Sequence, residues 1–103
     1  MFILNAISLN MISVFPIDIH VEEISLEQAK TLATDAMSAV GHADTANVFS
    51  NVLGVDVPAN RVNVVLKKDD KALVGQYVGP RLPEGCSTLP EGATIKWLLV
   101  TLG

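Results

Sequence analysis

Four residues of this chain are of types that can act together on a phosphate: His42, Arg61, Arg81 and Glu84. Imidazole is the side chain whose proton comes and goes near neutral pH, and His42 stands between Gly41 and the start of an apolar-periodic helix. Peptide dipoles at a helix N-terminus disfavour imidazolium, and a phosphate bound there would offset that field and restore the protonated form. Arg61 follows "PAN" and Arg81 follows "GP", so both guanidinium groups sit at element ends beside stiff neighbours. A planar fork can meet a phosphate there with little loss of side-chain freedom. They are the only two arginines among seven basic residues, and the lysines gather mainly around "KKDDK". Glu84 lies three residues after Arg81 in "VGPRLPEGC", close enough to pair with it or to reach a histidine from elsewhere. The plainer readings are an exposed His42 and surface ion pairs worth little.

Other candidates carry less. His20 lies on the polar side of an alternating stretch, and His20, His42 and Cys86 have no spacing that supports a metal site. There is no phosphate-cradling glycine loop, HExxH or nucleophile elbow. A lone cysteine excludes an intrachain disulfide and gives no sign of an oxidising compartment.

The elements that must hold these residues are partly legible. "FILN" and "PIDIHVEEI" have strand character, the second alternating Ile17, Ile19 and Val21 with Asp18, His20 and Glu22, so that one face is wet. Ser25 and Gln28 form a capping box that opens a first helix, whose apolar stripe runs Leu26, Ala29, Leu32, Ala33, Ala36, Met37, Val40 to a stop at Gly41. "HADTANVFSNVLG" predicts a second helix ended by Gly54, with His42 at its start. Residues 61–67 and 71–78 suggest a hairpin turning through "KDD", and "TIKWLLVTL" suits a strand buried on both faces. No internal repeat or linker is expected. The fold class is α/β, one small domain over residues 1–103 with a central sheet flanked by helices.

Composition narrows the function. Half of the 103 residues are apolar and 17% are charged, which favours burial against a partner, most simply a second copy of the chain. A net charge of -4 argues against gripping long nucleic acid through a broad basic face. The apolar N-terminus lacks a basic leader and is broken by Asn5, Ser8 and Asn10, so neither a signal peptide nor a membrane span is expected, and the reading is a cytoplasmic protein.

Taken in order, "LNAISLNM", "SAVGHADTANVFSNVLGVDVPANRV" and "KALVGQYVGPRLPEG" resemble the viral ring nucleases of the type III anti-CRISPR family, small proteins of archaeal viruses, phages and mobile elements with bacterial relatives. The resemblance implies a metal-independent homodimer with a mixed sheet and no cofactor. Its expected activity is cleavage of cyclic tetra-adenylate to linear di-adenylate with a 2′,3′-cyclic phosphate, silencing type III CRISPR signalling in the host cytoplasm. It further implies that His42 is the general acid, that Glu84 supports it, and that Arg81 holds the scissile phosphate while Arg61 holds a neighbouring one. Asn5, Ser8, Asn10, Thr45 and Gln76 match positions that line the ligand. Relatives often have a small hydroxyl residue where this chain has Asp44, and a carboxylate there can cap the helix but repels phosphate. Two alternatives stay open: a protein that sequesters a cyclic nucleotide without cutting it, and one that inhibits a host enzyme directly through apolar surface.

Overall fold

The computed structural model describes all 103 residues. Five strands, β1 (Phe2–Leu4), β2 (Ile19–Ile24), β3 (Met37–Ser38), β4 (Lys71–Val78) and β5 (Thr94–Leu102), form one mixed sheet in the order β2-β5-β4-β1-β3. Two helices accompany it, α1 (Leu26–Ala33) and α2 (Ala43–Leu53), with a short 3-10 turn at Leu9–Met11. β1 runs parallel to both β3 and β4, whereas β5 is antiparallel to β4 and β2. The C-terminal ends of β1, β3 and β4 therefore share one edge of the sheet. Neither helix is long and apolar enough to cross a membrane.

Alternation along the strands sends apolar side chains to two cores. Ile3, Leu73 and Trp97 face the helices and pack with Ala29 and Ala33 of α1 and Ala46, Phe49 and Leu53 of α2. Leu4, Ala72, Val74, Val100 and Leu102 face the other way and are covered by irregular chain carrying Ile12, Val64 and Leu66. β5 lies between β4 and β2, with Trp97 buried on one side and Val100 and Leu102 on the other, as its nearly unbroken apolar run requires.

The Phe49 ring meets Trp97 edge to face, with centroids 5.1 Å apart, directly over Gly75. A Cβ placed on Gly75 would lie 2.5 Å from Phe49 Cζ and 2.7 Å from Trp97 Cζ3. The glycine in the middle of β4 is thus the space into which two aromatic rings settle. Gly75→Val is expected to destabilise the fold by about 3 kcal/mol, measured by urea unfolding, whereas the same change at the open Gly103 position leaves the midpoint unchanged.

Several expectations need correction. The first helix ends at Ala33, not at Val40, although its capping box forms as expected, with Gln28 N donating to Ser25 Oγ and Ser25 N to Gln28 Oε1. Thr31 and Thr34 turn their hydroxyls back onto the carbonyls of Glu27 and Lys30, which weakens the helix. Beyond them the amides of Met37 and Ala39 donate to Met1 O and Ile3 O at 3.0 and 2.9 Å. Hydrogen bonding along β1 overrides the apolar period, and Met37 becomes part of an edge strand.

The hairpin is also absent. β4 has both edges occupied, by β1 and β5, so residues 61–67 have no sheet partner there. They cross the second core instead, where Leu66 bridges Ile12 and its amide donates to Met11 O at 2.6 Å. β2 begins at Ile19, and as an edge strand it leaves Ile19 and Val21 exposed as well as the polar face. Its histidine and glutamates guard that edge against indiscriminate pairing.

The chain does contain a short repeat. "LPEG" occurs at 82–85 and again at 89–92, and each copy makes the same turn. Cys86 N donates to Pro83 O and Ala93 N to Pro90 O, with Gly85 and Gly92 at φ 78° and 81°. That left-handed third position is one that glycine occupies without a Cβ penalty.

Candidate functional site

The segments leaving β3 and β4 meet at the carboxyl end of the parallel strands, the usual place for a ligand in an open α/β sheet. After β3 the chain passes Gly41 and enters α2 with His42 as its N-cap residue, in extended conformation and with no side-chain cap bond. Its imidazole is therefore not spent on the backbone of its own helix. After β4 the chain enters the loop that carries Arg81 and Glu84.

That loop is fastened at two points. Tyr77 donates its hydroxyl to Pro80 O at 2.5 Å, and Gly85 N donates to Asp44 Oδ1 at 3.1 Å. Between these points lie Arg81, Leu82, Pro83 and Glu84. The prolines at 80 and 83 fix φ on either side of Arg81, and the turn from Pro83 to Cys86 sets the direction of Glu84. The stiffness inferred from "GPRLPEG" thus has a structural basis in hydrogen bonds as well as in proline.

Together the helix start and the loop enclose a cleft of about 480 Å³, lined by His42, Asp44, Thr45, Tyr77, Arg81, Leu82 and Glu84. Four of the residues singled out from sequence, His42, Thr45, Arg81 and Glu84, meet there. The expected alternative, an Arg81–Glu84 ion pair, does not form: the one ion pair within 4.0 Å joins His20 and Glu22 at 3.9 Å. His20 sits on the sheet edge formed by β2, away from these loops. No three acidic, histidine or cysteine side chains come together in metal-ligating fashion.

Arg61 stands beside the cleft. Asn60 N donates to Val40 O at 2.8 Å, Asn60 Nδ2 to Ser38 O at 2.7 Å, and Ser38 Oγ to Pro58 O at 2.7 Å. This strap lays the Arg61 side chain over Gly41, where an added Cβ would lie 3.6 Å from the guanidinium Nε. The arginine thus lies close to the backbone immediately before His42.

The other expected ligand residues do not line this cleft. Asn5, Ser8 and Asn10 follow β1 and are exposed; Ser8 Oγ accepts from Asn10 N at 3.2 Å and caps the 3-10 turn. Gln76 is opposite Lys96 in the sheet and alternates with Tyr77, so it belongs to the face of Val74 rather than the face of the cleft. Asp44 does not cap α2, because the cap position is His42; its carboxylate binds the loop instead.

Sequence reasoning passed over Tyr77 and Leu82 as cleft residues. The signal for Tyr77 was its parity: two residues beyond Gly75, it shares the helix-facing side of β4 and arrives where the strand ends. Leu82 gave no signal beyond its neighbours.

A family model described as STIV B116-like matches residues 1–95, which include every residue of the cleft. The chain belongs to the STIV B116-like family. Within it, B116 of Sulfolobus turreted icosahedral virus is a solved structure with TM-score 0.79 and 27% identity, covering 97% of each chain. Uncharacterized protein 26 of Sulfolobus islandicus filamentous virus (isolate Iceland/Hveragerdi) is 36% identical over 87 residues, covering 82% of this chain and 73% of its own length. Uncharacterized protein ORF117 of Acidianus two-tailed virus is 38% identical over 70 residues, covering 64% of this chain and 59% of its own length. These relatives are small proteins of archaeal viruses, and the STIV B116-like kinship extends through the mixed sheet, both helices and the loops that form the cleft.

Proposed function

We propose that the protein is a ring nuclease that opens cyclic tetra-adenylate by attack of a ribose 2′-hydroxyl on its own adjacent phosphate. The observation that carries this reading is the convergence of His42 with Arg81 and Glu84, which lie about forty residues further along the chain, on one cleft at the carboxyl ends of parallel strands. Each has a task that the reaction needs. Because the nucleophile is already next to the phosphorus, the protein has only to align it, neutralise the developing charge and protonate the leaving oxygen.

Arg81 forks two phosphate oxygens and holds the phosphorus in line. A bond forms between the 2′-oxygen and phosphorus as the bond to the 5′-oxygen breaks. The 2′-hydroxyl proton passes to water, and His42 gives its proton to the departing 5′-oxygen, leaving a 2′,3′-cyclic phosphate and a free 5′-hydroxyl. Glu84, in the same cleft, is assigned to support His42 in this step. Arg61, laid over Gly41, takes the next phosphate along the ring. Repeating the cut opposite the first yields two di-adenylates.

A cleft of about 480 Å³ has the size of a small-ligand pocket, and four nucleotides extend beyond it. Asn5, Ser8, Asn10 and Gln76 are assigned to the remainder of the ring, reached across a two-fold homodimer that supplies each group twice. Exposed Leu9, Val14, Phe15, Val62 and Val65 on the segments around residues 9–15 and 62–65 support a second copy as partner. Kinship with viral proteins favours a counter-defence role in the infected cell, where loss of the ring silences the effector nucleases it activates.

Labelled cyclic tetra-adenylate incubated with the protein tests the reading by product and affinity together. Wild-type protein is expected to convert the ring to di-adenylate, and Arg81→Ala to weaken single-turnover cleavage by about tenfold or more through loss of a charged fork. A ring that is bound but recovered intact leaves sequestration as the function. Neither binding nor cleavage, with a stable complex to a host protein instead, assigns the activity to direct inhibition.

A further inference from the structure

We infer that Asp44 is the positioning residue of this site, and that it works by holding the loop bearing Arg81 and Glu84 at a fixed place before His42. The inference rests on the ring-nuclease reading for what the loop does, and on the geometry alone for how the loop is held. A carboxylate in a cleft meant for phosphate opposes its ligand. Its presence at the mouth of α2 calls for a different task, and the hydrogen bonds show one.

Gly85 is the third residue of the turn from Pro83 to Cys86, and the turn's own hydrogen bond uses the amide of Cys86, not that of Gly85. The Gly85 N–H would point outward without a partner in the turn. Asp44 Oδ1 accepts it at 3.1 Å, a bond between residues 41 apart in sequence and assisted by the full charge of the carboxylate. Asp44 itself is in the first turn of α2, where the helix dipole favours an anion and the backbone is rigid. Gly85 immediately follows Glu84. At the other end, the bond from Tyr77 to Pro80 O immediately precedes Arg81. The stretch Arg81 to Glu84 is therefore suspended between one anchor on β4 and one on the helix that presents His42. Asp44 is the anchor that ties it to His42.

The test compares wild type, Asp44→Ala and Asp44→Asn in two readouts. The first is amide hydrogen exchange at Gly85 followed by NMR; the second is single-turnover cleavage of labelled cyclic tetra-adenylate. Asp44→Ala is expected to lower Gly85 protection by about tenfold and to slow cleavage by a similar factor. Asp44→Asn keeps an oxygen that accepts the same bond, and is expected to restore both to within a few fold of wild type, with the ring bound at least as tightly because a repelling charge is gone. Unchanged protection in Asp44→Ala overturns the clamp, as does an Asn variant impaired as much as the Ala variant. Lost protection with unchanged cleavage overturns the positioning role. Should wild type leave the ring intact, the ring-nuclease reading fails, and Gly85 exchange still decides the clamp.

Discussion

His42→Ala is expected to slow single-turnover cleavage of cyclic tetra-adenylate by about a hundredfold or more, the range in which a general acid contributes. Binding of the ring should change little, because the phosphate contacts proposed for Arg61 and Arg81 remain. The prediction follows from where the histidine is held. As the N-cap residue it has extended backbone geometry and no cap bond from its side chain, so removing the imidazole costs the helix no hydrogen bond. Asp44 keeps its bond to Gly85, and the loop stays in place. The variant thus separates chemistry from folding. A His42→Ala protein with the wild-type rate would remove the histidine from the mechanism, whatever remained of the binding site.

Phe49→Ala is expected to cost about 3–5 kcal/mol of stability, the range for emptying a buried aromatic site. Its side chain is almost wholly buried, meets Trp97 at 5.1 Å between centroids, and fills the space left by Gly75. Loss of the ring empties the contact between α2 and the centre of the sheet. Because His42 lies about two turns earlier on the same helix, the same vacancy loosens the site. Urea unfolding gives the stability, with the slope reporting whether the unfolded surface has changed. Cleavage at low temperature should fall less than in His42→Ala, since the proposed acid itself remains. A Phe49→Ala midpoint equal to that of wild type would show that α2 is not anchored as described.

How far the chain can be read without its structure depends on where the deciding forces lie. α2 was legible because its period, its start at His42 and its stop at Gly54 are all local, and Gly54 does adopt the left-handed geometry, at φ 72°. The capping box of α1 was legible for the same reason. Its end was not: residues 36–40 keep the apolar period, and only the parallel pairing of Met37 and Ser38 with Phe2 and Ile3, distant in sequence, turns them into strand. Residues 61–67 have strand composition, and only the presence of β1 beside β4 denies them a partner.

The site divides in the same manner. His42, Arg61, Arg81 and Glu84 stood out by type, scarcity and neighbouring prolines, all of which are properties of short stretches. The bond from Gly85 to Asp44 and the strap from Asn60 to Ser38 join segments that no local pattern connects. From sequence Asp44 could be recognised only as a candidate helix cap and a charge that repels phosphate. In the folded chain it is a loop anchor.

Product mass reports directly which oxygen attacks the phosphate. Cyclic tetra-adenylate is incubated with the protein and EDTA in water enriched in heavy oxygen, and the products are weighed. Attack by the ribose hydroxyl predicts di-adenylate with a 2′,3′-cyclic phosphate, carrying no solvent oxygen at the moment of ring opening. A linear phosphate bearing heavy oxygen from the first turnover, or a ring returned intact by protein that binds it, would contradict the account.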